Sequence, residues 1–350
     1  MSKYLTENRG GYMSNPREDR YTNMTYNYCG NSGLKLPSIS LGLWQNFGDE
    51  SNFDTCTDII KTAFDKGITH FDLANNYGPP PGSAEKNFGK ILKENLLPYR
   101  DELIISTKAG YKMWEGPYGD WGSKKYLVAS LDQSLKRMGL DYVDIFYHHR
   151  PDPDTPIEET ARALDLIVRQ GKALYVGISN YDADKTLQMY ELFEQMGTPF
   201  IIHQARYNMF DRWIEKGEVS LCDVLEEKGI GCIAFSPLAQ GLLSDKYFDS
   251  VPFDSRRAKS ESMNRIFSEG KIERAIELSK IAFERGQSLA QMALSWIANN
   301  PIITSVLVGV SSTGQLLENI QAFENSNFSQ DELEQIDEIL AGERYFVDKK

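Results

Sequence analysis

Residues His70 to Glu94 read HFDLANNYGPPPGSAEKNFGKILKE and hold one complete unit of the fold. The apolar run from His70 to Ala74 predicts a short buried strand, and the periodic apolar residues from Ala84 to Glu94 predict an amphipathic helix. A polar loop with three prolines joins them, and we expect Ser83 to cap the helix. This order of strand, loop and helix is the unit that we look for in the rest of the chain.

The unit recurs along the sequence. Strands are predicted over residues 38–43, 70–74, 103–107, 143–148, 174–179, 200–204, 231–236 and 305–309. Helices are predicted over residues 53–66, 84–94, 124–138, 157–171, 183–196, 218–227, 272–285, 289–298, 312–323 and 330–340. Eight units with short apolar strands predict an α/β fold, a closed parallel (β/α)8 barrel. An open doubly wound sheet is the alternative, but its GxGxxG sequence does not follow the first strand.

The two ends of the chain lie outside this repeat. Residues 24–37 predict a small hairpin that turns at residues 30–33 and caps one end of the barrel, and residues 330–340 add an extra helix. We therefore expect a polar tail over residues 1–23 and a single barrel domain over residues 24–350.

Composition limits the possible partners. The chain has 350 residues, of which 41% are apolar, and a formal net charge of −12, which argues against nucleic acid or an acidic membrane as a partner. Its four cysteines have no metal-binding spacing, so we expect reduced thiols, no metal and a cytoplasmic location. No signal peptide is recognisable, and no apolar run approaches the ~18 residues of a spanning helix.

Polar side chains gather at the carboxyl ends of three successive predicted strands, where barrels of this type carry their function. Asp72, Lys108 and His149 stand there, and Tyr77 follows Asp72 by five residues. We expect Asp72 to hold the Lys108 ammonium at the barrel mouth, and that charge to lower the pKa of Tyr77 from about 10. Tyr77 would then protonate a developing alkoxide while His149 orients a carbonyl. Alone, such a lysine is more often a solvated loop residue and such a histidine a structural one, so the prediction depends on the joint appearance of the four residues.

This set contains neither a nucleophile nor a cluster of metal ligands, so we expect a bound cofactor to supply the second reactant. Asn180 and Gln204, at later strand ends, suit a carboxamide, and Phe235 offers a flat face to a ring. Phe235 could equally be an ordinary core residue.

The last third of the chain offers groups for a phosphate and an adenine. Ser312 and Gln315 have the spacing of a capping box, and the helix that they open could also bind phosphate with its free N–H groups. Gln315, Glu318 and Asn319 share one helix face and suit an adenine edge. A further basic cluster could hold phosphates or could be solvated surface, and consists of Lys246, Arg256 and Arg257.

Beyond Met24 the chain resembles the aldo-keto reductase family over nearly its whole length. Seven stretches resemble the strand-end signatures of that family in order, namely FDLANNYG, ISTKAG, VDIFYHHRPDP, VGISNY, IHQARYN, AFSPLAQGLLS and VLVGVSSTGQLLENI. Asp72, Tyr77, Lys108 and His149 stand where the family carries its catalytic tetrad. The branch that it resembles holds potassium-channel β subunits and bacterial L-glyceraldehyde 3-phosphate reductases, and the stretch NNYGPPPGSAEKNFG is most similar to the latter.

The resemblance implies NADPH as the cofactor. Ser179, Asn180 and Gln204 would hold the nicotinamide carboxamide, and Phe235 would stack on its ring. The remaining implied contacts come from Trp44, Ser236, Leu238, Gln240, Lys246, Arg256, Gly309, Ser311, Gln315, Glu318 and Asn319. The positions of Arg256 and Ser311 near the 2′-phosphate imply NADPH rather than NADH.

The expected reaction is NADPH-dependent reduction of a small aldehyde, with L-glyceraldehyde 3-phosphate and methylglyoxal as candidates. Arg150 could meet a substrate phosphate, although an arginine at a loop start is usually on the surface. The alternative is a redox-sensing binding protein like the channel β subunits, which carry asparagine where this chain has His149. A barrel isomerase or hydrolase without a nucleotide is a second alternative. The resemblance also implies a homo-oligomer, either a tetramer or an octamer.

Overall fold

Eight parallel strands close a barrel in chain order, which confirms the predicted (β/α)8 fold. The computed structural model describes residues 15–248, 267 and 270–341. The barrel strands are β3 (Ile39–Gly42), β4 (His70–Asp72), β5 (Ile104–Ala109), β6 (Val143–His148), β7 (Ala173–Ser179), β8 (Phe200–Arg206), β9 (Gly231–Phe235) and β10 (Ile303–Val308). β10 pairs with both β9 and β3, so the sheet has no free edge.

Helices surround this barrel in the described part of the chain. They are α1 (Phe53–Asp65), α2 (Ser83–Ile91), α3 (Lys124–Met138), α4 (Ile157–Arg169), α5 (Ala183–Met196), α6 (Leu221–Lys228), α7 (Lys271–Glu284), α8 (Leu289–Ala298), α9 (Thr313–Gln321) and α10 (Gln330–Ala341). Their apolar faces cover the outside of the strands, as where Phe71 of β4 packs on Phe88 of α2 with ring centroids 5.6 Å apart. None of these helices is long and apolar enough to span a lipid bilayer.

The starts of α2, α6, α7 and α9 differ from the prediction by one to three residues, and the first two show why. Ser83 does not cap α2, because Gly82 occupies that position in a left-handed conformation (φ 88°) and Ser83 donates its hydroxyl to the Pro80 carbonyl at 2.6 Å. α6 begins at Leu221 and not at residue 218, because Ser220 and Asp223 form a reciprocal capping box that fixes the first turn.

A hairpin closes the amino-terminal end of the barrel. Its strands β1 (Tyr26–Tyr28) and β2 (Lys35–Pro37) pair antiparallel, and Asn27 donates to the Thr304 carbonyl at 2.9 Å. Gly30 must be glycine, because φ is +53° and a Cβ there would lie 1.9 Å from the Gly229 carbonyl oxygen. Cys29 and Leu36 of the hairpin are fully buried and pack with barrel residues such as Tyr147, so the hairpin plugs this end of the barrel.

The described end of the predicted tail lies against the barrel. Arg20 forms an ion pair with Glu102, and its guanidinium carbon lies 4.9 Å from the Phe64 ring centroid. The backbone N–H of Arg17 donates to Asp65 at 3.0 Å. The boundary that we predict at residue 24 remains a prediction.

Candidate active site

A cleft of about 580 Å³ opens at the carboxyl ends of the strands. Gly42, Asp72, Phe235 and Val308, the last residues of four strands, all line it. Fifteen of the predicted site residues line this cleft: Trp44, Asp72, Tyr77, His149, Gln204, Phe235, Ser236, Leu238, Gln240, Lys246, Gly309, Ser311, Gln315, Glu318 and Asn319. Arg256 and Arg257 lie outside the described residues.

A buried ion pair lies beneath the cleft. Lys108 Nζ donates to Asp72 Oδ2 at 2.5 Å and to the Leu73 carbonyl at 2.7 Å. The predicted pairing of Lys108 with Asp72 is confirmed, but β5 continues to Ala109, two residues beyond its predicted end, and the lysine is fully buried. Burial lowers the pKa of Lys108 below its ordinary value, and the Asp72 carboxylate acts in the opposite direction.

Tyr77 stands beside this pair in the loop after β4. Lys108 Nζ lies 5.1 Å from the centroid of its ring, and no hydrogen bond joins the two side chains in the described structure. The expected fall in the pKa of Tyr77 is wrong: burial raises that pKa well above 10, and Asp72 and Tyr111 raise it further. Desolvation of the phenolate outweighs the nearby ammonium, so the resting phenol keeps its proton.

His149 faces Tyr77 across the cleft. The two ring centroids are 6.0 Å apart, and Tyr111 meets the imidazole edge-on at 4.7 Å. Burial lowers the pKa of His149 well below its ordinary value, and Lys108 lowers it further, so the ring is neutral at neutral pH. Its buried Nδ1 has no hydrogen-bond partner among the described residues, which favours placing the single proton on Nε2.

The neighbouring histidine is directed elsewhere. His148 Nδ1 lies 2.6 Å from the Tyr181 hydroxyl, and the residue does not line the cleft. The backbone therefore separates the two adjacent histidines, as alternate side chains of a strand end are expected to be.

Ser179 and Asn180, two of the three residues predicted to hold a carboxamide, lie beside the cleft rather than in its lining. The Asn180 amide donates to the His149 carbonyl at 3.0 Å and to Ser179 Oγ at 3.1 Å, and its φ is +62°. Gln204 does line the cleft, where its amide donates to Asp72 Oδ1 at 3.2 Å. The role assigned to these amides stays a prediction.

The segment after β9 lines the cleft in a strained conformation. Ser236, Ala239 and Gln240 have φ values of 54°, 46° and 60°, a region that residues other than glycine rarely adopt. The Asn208 amide donates to the Ser236 carbonyl at 3.1 Å and helps to hold this turn. Such strain clusters at binding sites, where surrounding structure fixes it.

The start of α9 forms another wall. Ser312 Oγ accepts the Gln315 backbone N–H at 3.2 Å, as predicted, but Gln315 Oε1 accepts from the backbone of Ser311 at 2.9 Å and not from Ser312. The return hydrogen bond of the predicted box therefore comes from Ser311, one residue before the cap. Lys246 is the only lysine or arginine in the described lining of the cleft.

Sequence analysis missed part of this lining. Ser288 caps α8 and donates its hydroxyl to Glu318 at 3.1 Å, and Asn46 donates to the Val310 carbonyl at 2.9 Å. Ser288 has the same S-x-x-Q spacing as Ser312, so that spacing was an available signal. Asn46 lies four residues after the end of β3, and this position beyond a barrel strand was also an available signal.

Arg150 holds the long loop after β5. Its Nε donates to the Gly110 carbonyl at 2.7 Å, and its Nη2 donates to Asp120 at 2.9 Å. Its guanidinium carbon lies 3.6 Å from the ring centroid of Trp121 and 4.2 Å from that of Tyr111. The guanidinium is therefore largely engaged within the protein rather than presented to a substrate phosphate.

The described side chains bring no three potential metal ligands together. The donor set instead suits an elongated polar molecule that carries an anionic group: one lysine, and amide, hydroxyl and aromatic side chains along the walls. Tyr77 and His149, two titratable side chains, line the same cleft, and the ion pair lies beneath them. The fold and this cleft are typical of an enzyme that binds small molecules.

The chain belongs to the aldo/keto reductase family, whose sequence profile matches residues 38–341, and it is an oxidoreductase of a family that uses a nicotinamide cofactor. It is 56% identical over 335 residues to the L-glyceraldehyde 3-phosphate reductase of Escherichia coli O157:H7, a match that covers 94% of this chain and 96% of that protein. The protein of the same name from Escherichia coli (strain K12) is 55% identical over the same shares. The "Probable voltage-gated potassium channel subunit beta" of Arabidopsis thaliana is 37% identical over 85% of this chain and 91% of its own length.

Proposed function

We propose that this protein reduces small aldehydes to alcohols with NADPH, and that L-glyceraldehyde 3-phosphate and methylglyoxal are the aldehydes to test first. The observation that carries the proposal is the buried Lys108–Asp72 pair, which lies next to Tyr77 and His149 at the cleft. The chemistry that NADPH supplies when bound is donation of a hydride to the carbonyl carbon.

The residues of the chain would manage the carbonyl oxygen. The neutral His149 can donate an N–H hydrogen bond that orients and polarises the carbonyl. Tyr77 retains its proton in the resting enzyme because burial raises its pKa, so it is ready to act as the general acid. As the proton leaves, the Lys108 ammonium 5.1 Å from the ring centroid stabilises the developing phenolate.

Asp72 would keep this ammonium charged and in place. Burial alone disfavours the protonated amine, and the carboxylate opposes that effect. The ion pair therefore supplies a fixed positive charge in a low-dielectric site, where it acts more strongly than in water.

The preference for NADPH is supported by the resemblance and by one cation. Lys246 lines the cleft together with Ser311, a residue that the resemblance sets near the 2′-phosphate. Phe235 would stack on the nicotinamide ring. The support for L-glyceraldehyde 3-phosphate comes from the names of two relatives, because Arg150 is held within the protein.

Titration of the purified protein with NADPH, followed by cofactor fluorescence, tests the binding step. Turnover is then measured with both proposed aldehydes and with a neutral aldehyde of similar size. We expect saturable binding and faster turnover of at least one proposed substrate. Binding without appreciable turnover would favour the redox-sensing role instead, and the absence of binding would overturn both.

A cytoplasmic homo-oligomer, a tetramer or an octamer, is the second part of the proposal. The four cysteines are unpaired, which suits a reducing compartment. Light scattering on the purified full chain gives the mass of the assembly, and a monomeric mass would contradict this part alone.

A further inference from the structure

A row of polar side chains runs along four adjacent strands inside the barrel, beneath the cleft. Ser305, Ser40, His70 and Ser106 come from β10, β3, β4 and β5, and none is more than 1% exposed. The Ser305 and Ser40 oxygens are 2.6 Å apart, His70 Nδ1 is 2.9 Å from Ser40, and His70 Nε2 is 2.9 Å from Ser106. Ser106 donates to Asp72 Oδ1 at 2.6 Å. Branched apolar residues usually fill such a barrel, so this row requires an explanation.

The chemistry of these groups fixes the direction of every hydrogen bond. Asp72, paired with an ammonium, can only accept, so the single Ser106 hydroxyl proton points to it. Ser106 must then accept from His70, which places a proton on Nε2.

The same reasoning extends to the far end of the row. Burial lowers the pKa of His70 to about 4, so the ring carries one proton at neutral pH and its Nδ1 is an acceptor. Ser40 therefore donates to His70 and accepts from Ser305. The charged groups that bear on the ring are Asp72, which favours its protonation, and Lys108, which opposes it.

We propose that His70 is a positioning residue for the reduction: as the Nε2–H tautomer it donates to Ser106, and Ser106 thereby directs the Asp72 carboxylate toward Lys108. The inference rests on the proposed function of Asp72, Lys108 and Tyr77. His70 touches none of the reacting atoms and acts through Ser106 alone.

A purely structural role would require only that the row be filled and its polar groups satisfied. The positioning role makes two further demands. His70 must carry its proton on Nε2, and the pKa of Lys108 must depend on a hydrogen-bond donor at that position. Both can be measured.

The tautomer is measured by nitrogen-15 NMR of histidine-labelled protein. The chain has four histidines, and the His70→Gln variant identifies the signal of His70 by its loss. We expect the proton on Nε2 at neutral pH. A proton on Nδ1 would overturn the inference, whatever the enzyme turns over, whereas a wild-type protein that reduces no aldehyde would overturn the proposed function.

The dependence on the donor is measured by kinetics. His70→Leu removes the donor, and His70→Gln retains an amide N–H near the Nε2 position. We expect kcat of His70→Leu to fall by about twofold to tenfold, the loss that corresponds to one hydrogen bond between neutral groups, and the Gln variant to recover most of it. NADPH affinity should change little.

The pH profile separates positioning from general damage. With Asp72 less firmly directed at Lys108, the pKa of the lysine should fall further, and the alkaline limb of kcat should move to lower pH in His70→Leu and in Ser106→Ala. His203→Leu is the matched control, because His203 is also fully buried and bonds the Tyr181 carbonyl at 3.1 Å without contacting Asp72. Equal losses in His203→Leu and His70→Leu, or an unmoved alkaline limb, would overturn the inference. If His70→Leu does not fold, Ser106→Ala and the NMR measurement decide.

Discussion

Lys108 Nζ lies 2.5 Å from Asp72 Oδ2, and neither side chain is exposed to solvent. Removal of one partner leaves the other as an uncompensated charge inside the barrel. We expect Lys108→Met to lower the free energy of unfolding by about 3–5 kcal/mol, and Asp72→Asn to lower it comparably.

The double variant Asp72→Asn/Lys108→Met should regain much of that stability without regaining turnover. Urea unfolding measures the first property and steady-state kinetics the second. If the two single losses in stability simply add in the double variant, the pair is not coupled as the structure indicates.

Tyr77→Phe tests the proposed general acid. Burial raises the pKa of Tyr77, so the phenol keeps its proton and can donate it to the substrate. Removal of the hydroxyl should therefore reduce turnover by about 10²–10⁴-fold, and the fold should stay intact. NADPH binding by fluorescence should be little changed. Tyr118→Phe is the control, since Tyr118 is exposed and does not line the cleft. Turnover that survives in Tyr77→Phe would remove this residue from the mechanism.

Arg150→Met should loosen the loop after β5. The guanidinium carbon lies 4.2 Å from the ring centroid of Tyr111, and Tyr111 in turn contacts His149. Without Arg150, the side chains on the aldehyde side of the site should be held less firmly in place. We expect KM for the aldehyde to rise by about tenfold while the affinity for NADPH is retained, because the loop is held by a partly buried charged hydrogen bond.

The control for that variant is Lys112→Met in the same loop, where the lysine is exposed and pairs only with Glu115. An exposed ion pair of this kind contributes little. Arg150→Met and Lys112→Met with the same KM would contradict the proposed function of Arg150 in holding the loop.

Acid should destabilise the protein through its histidines. Burial lowers the pKa of His70, His148 and His203 to about 4, and that of His149 well below its ordinary value. The unfolded chain takes up these protons near pH 6.5, so stability is complete above that pH and is lost as the pH falls toward 4. Each histidine contributes up to about 1.4 kcal/mol per pH unit in this window.

Urea unfolding between about pH 7 and pH 5 measures this slope, above the range in which carboxylates dominate. The His203→Leu variant should have a slope smaller by about one quarter, because one of four protons is missing. A free energy of unfolding that is flat across this range would contradict the neutral state of the buried imidazoles.

Much of the fold was predictable, because its signals are local. α3 and α5 match their predicted bounds because Ser123 and Asp182 cap them and Gly139 and Gly197 end them, all visible in the sequence. The convergence of Asp72 and His149 followed from the rule that parallel strand ends meet at one face.

The depth of the site was not predictable. Whether Lys108 is solvated at the rim or buried within β5 depends on where the strand ends to within two residues, and the pKa of Tyr77 depends on that burial. The contacts of Arg150 depend on Asp120, which lies 30 residues earlier in the chain. The hydrogen bonds of His70 depend on the register of three strands, which local sequence patterns do not specify.

Because the hairpin closes one end of the barrel, only the other end is open to ligands. Cys29 and Leu36 of the hairpin are buried at one end of the barrel, whereas Asp72, Tyr77 and His149 line the cleft at the other. The loops around the cleft can therefore be changed to accept other substrates, because the contacts that close the opposite end of the barrel do not involve them.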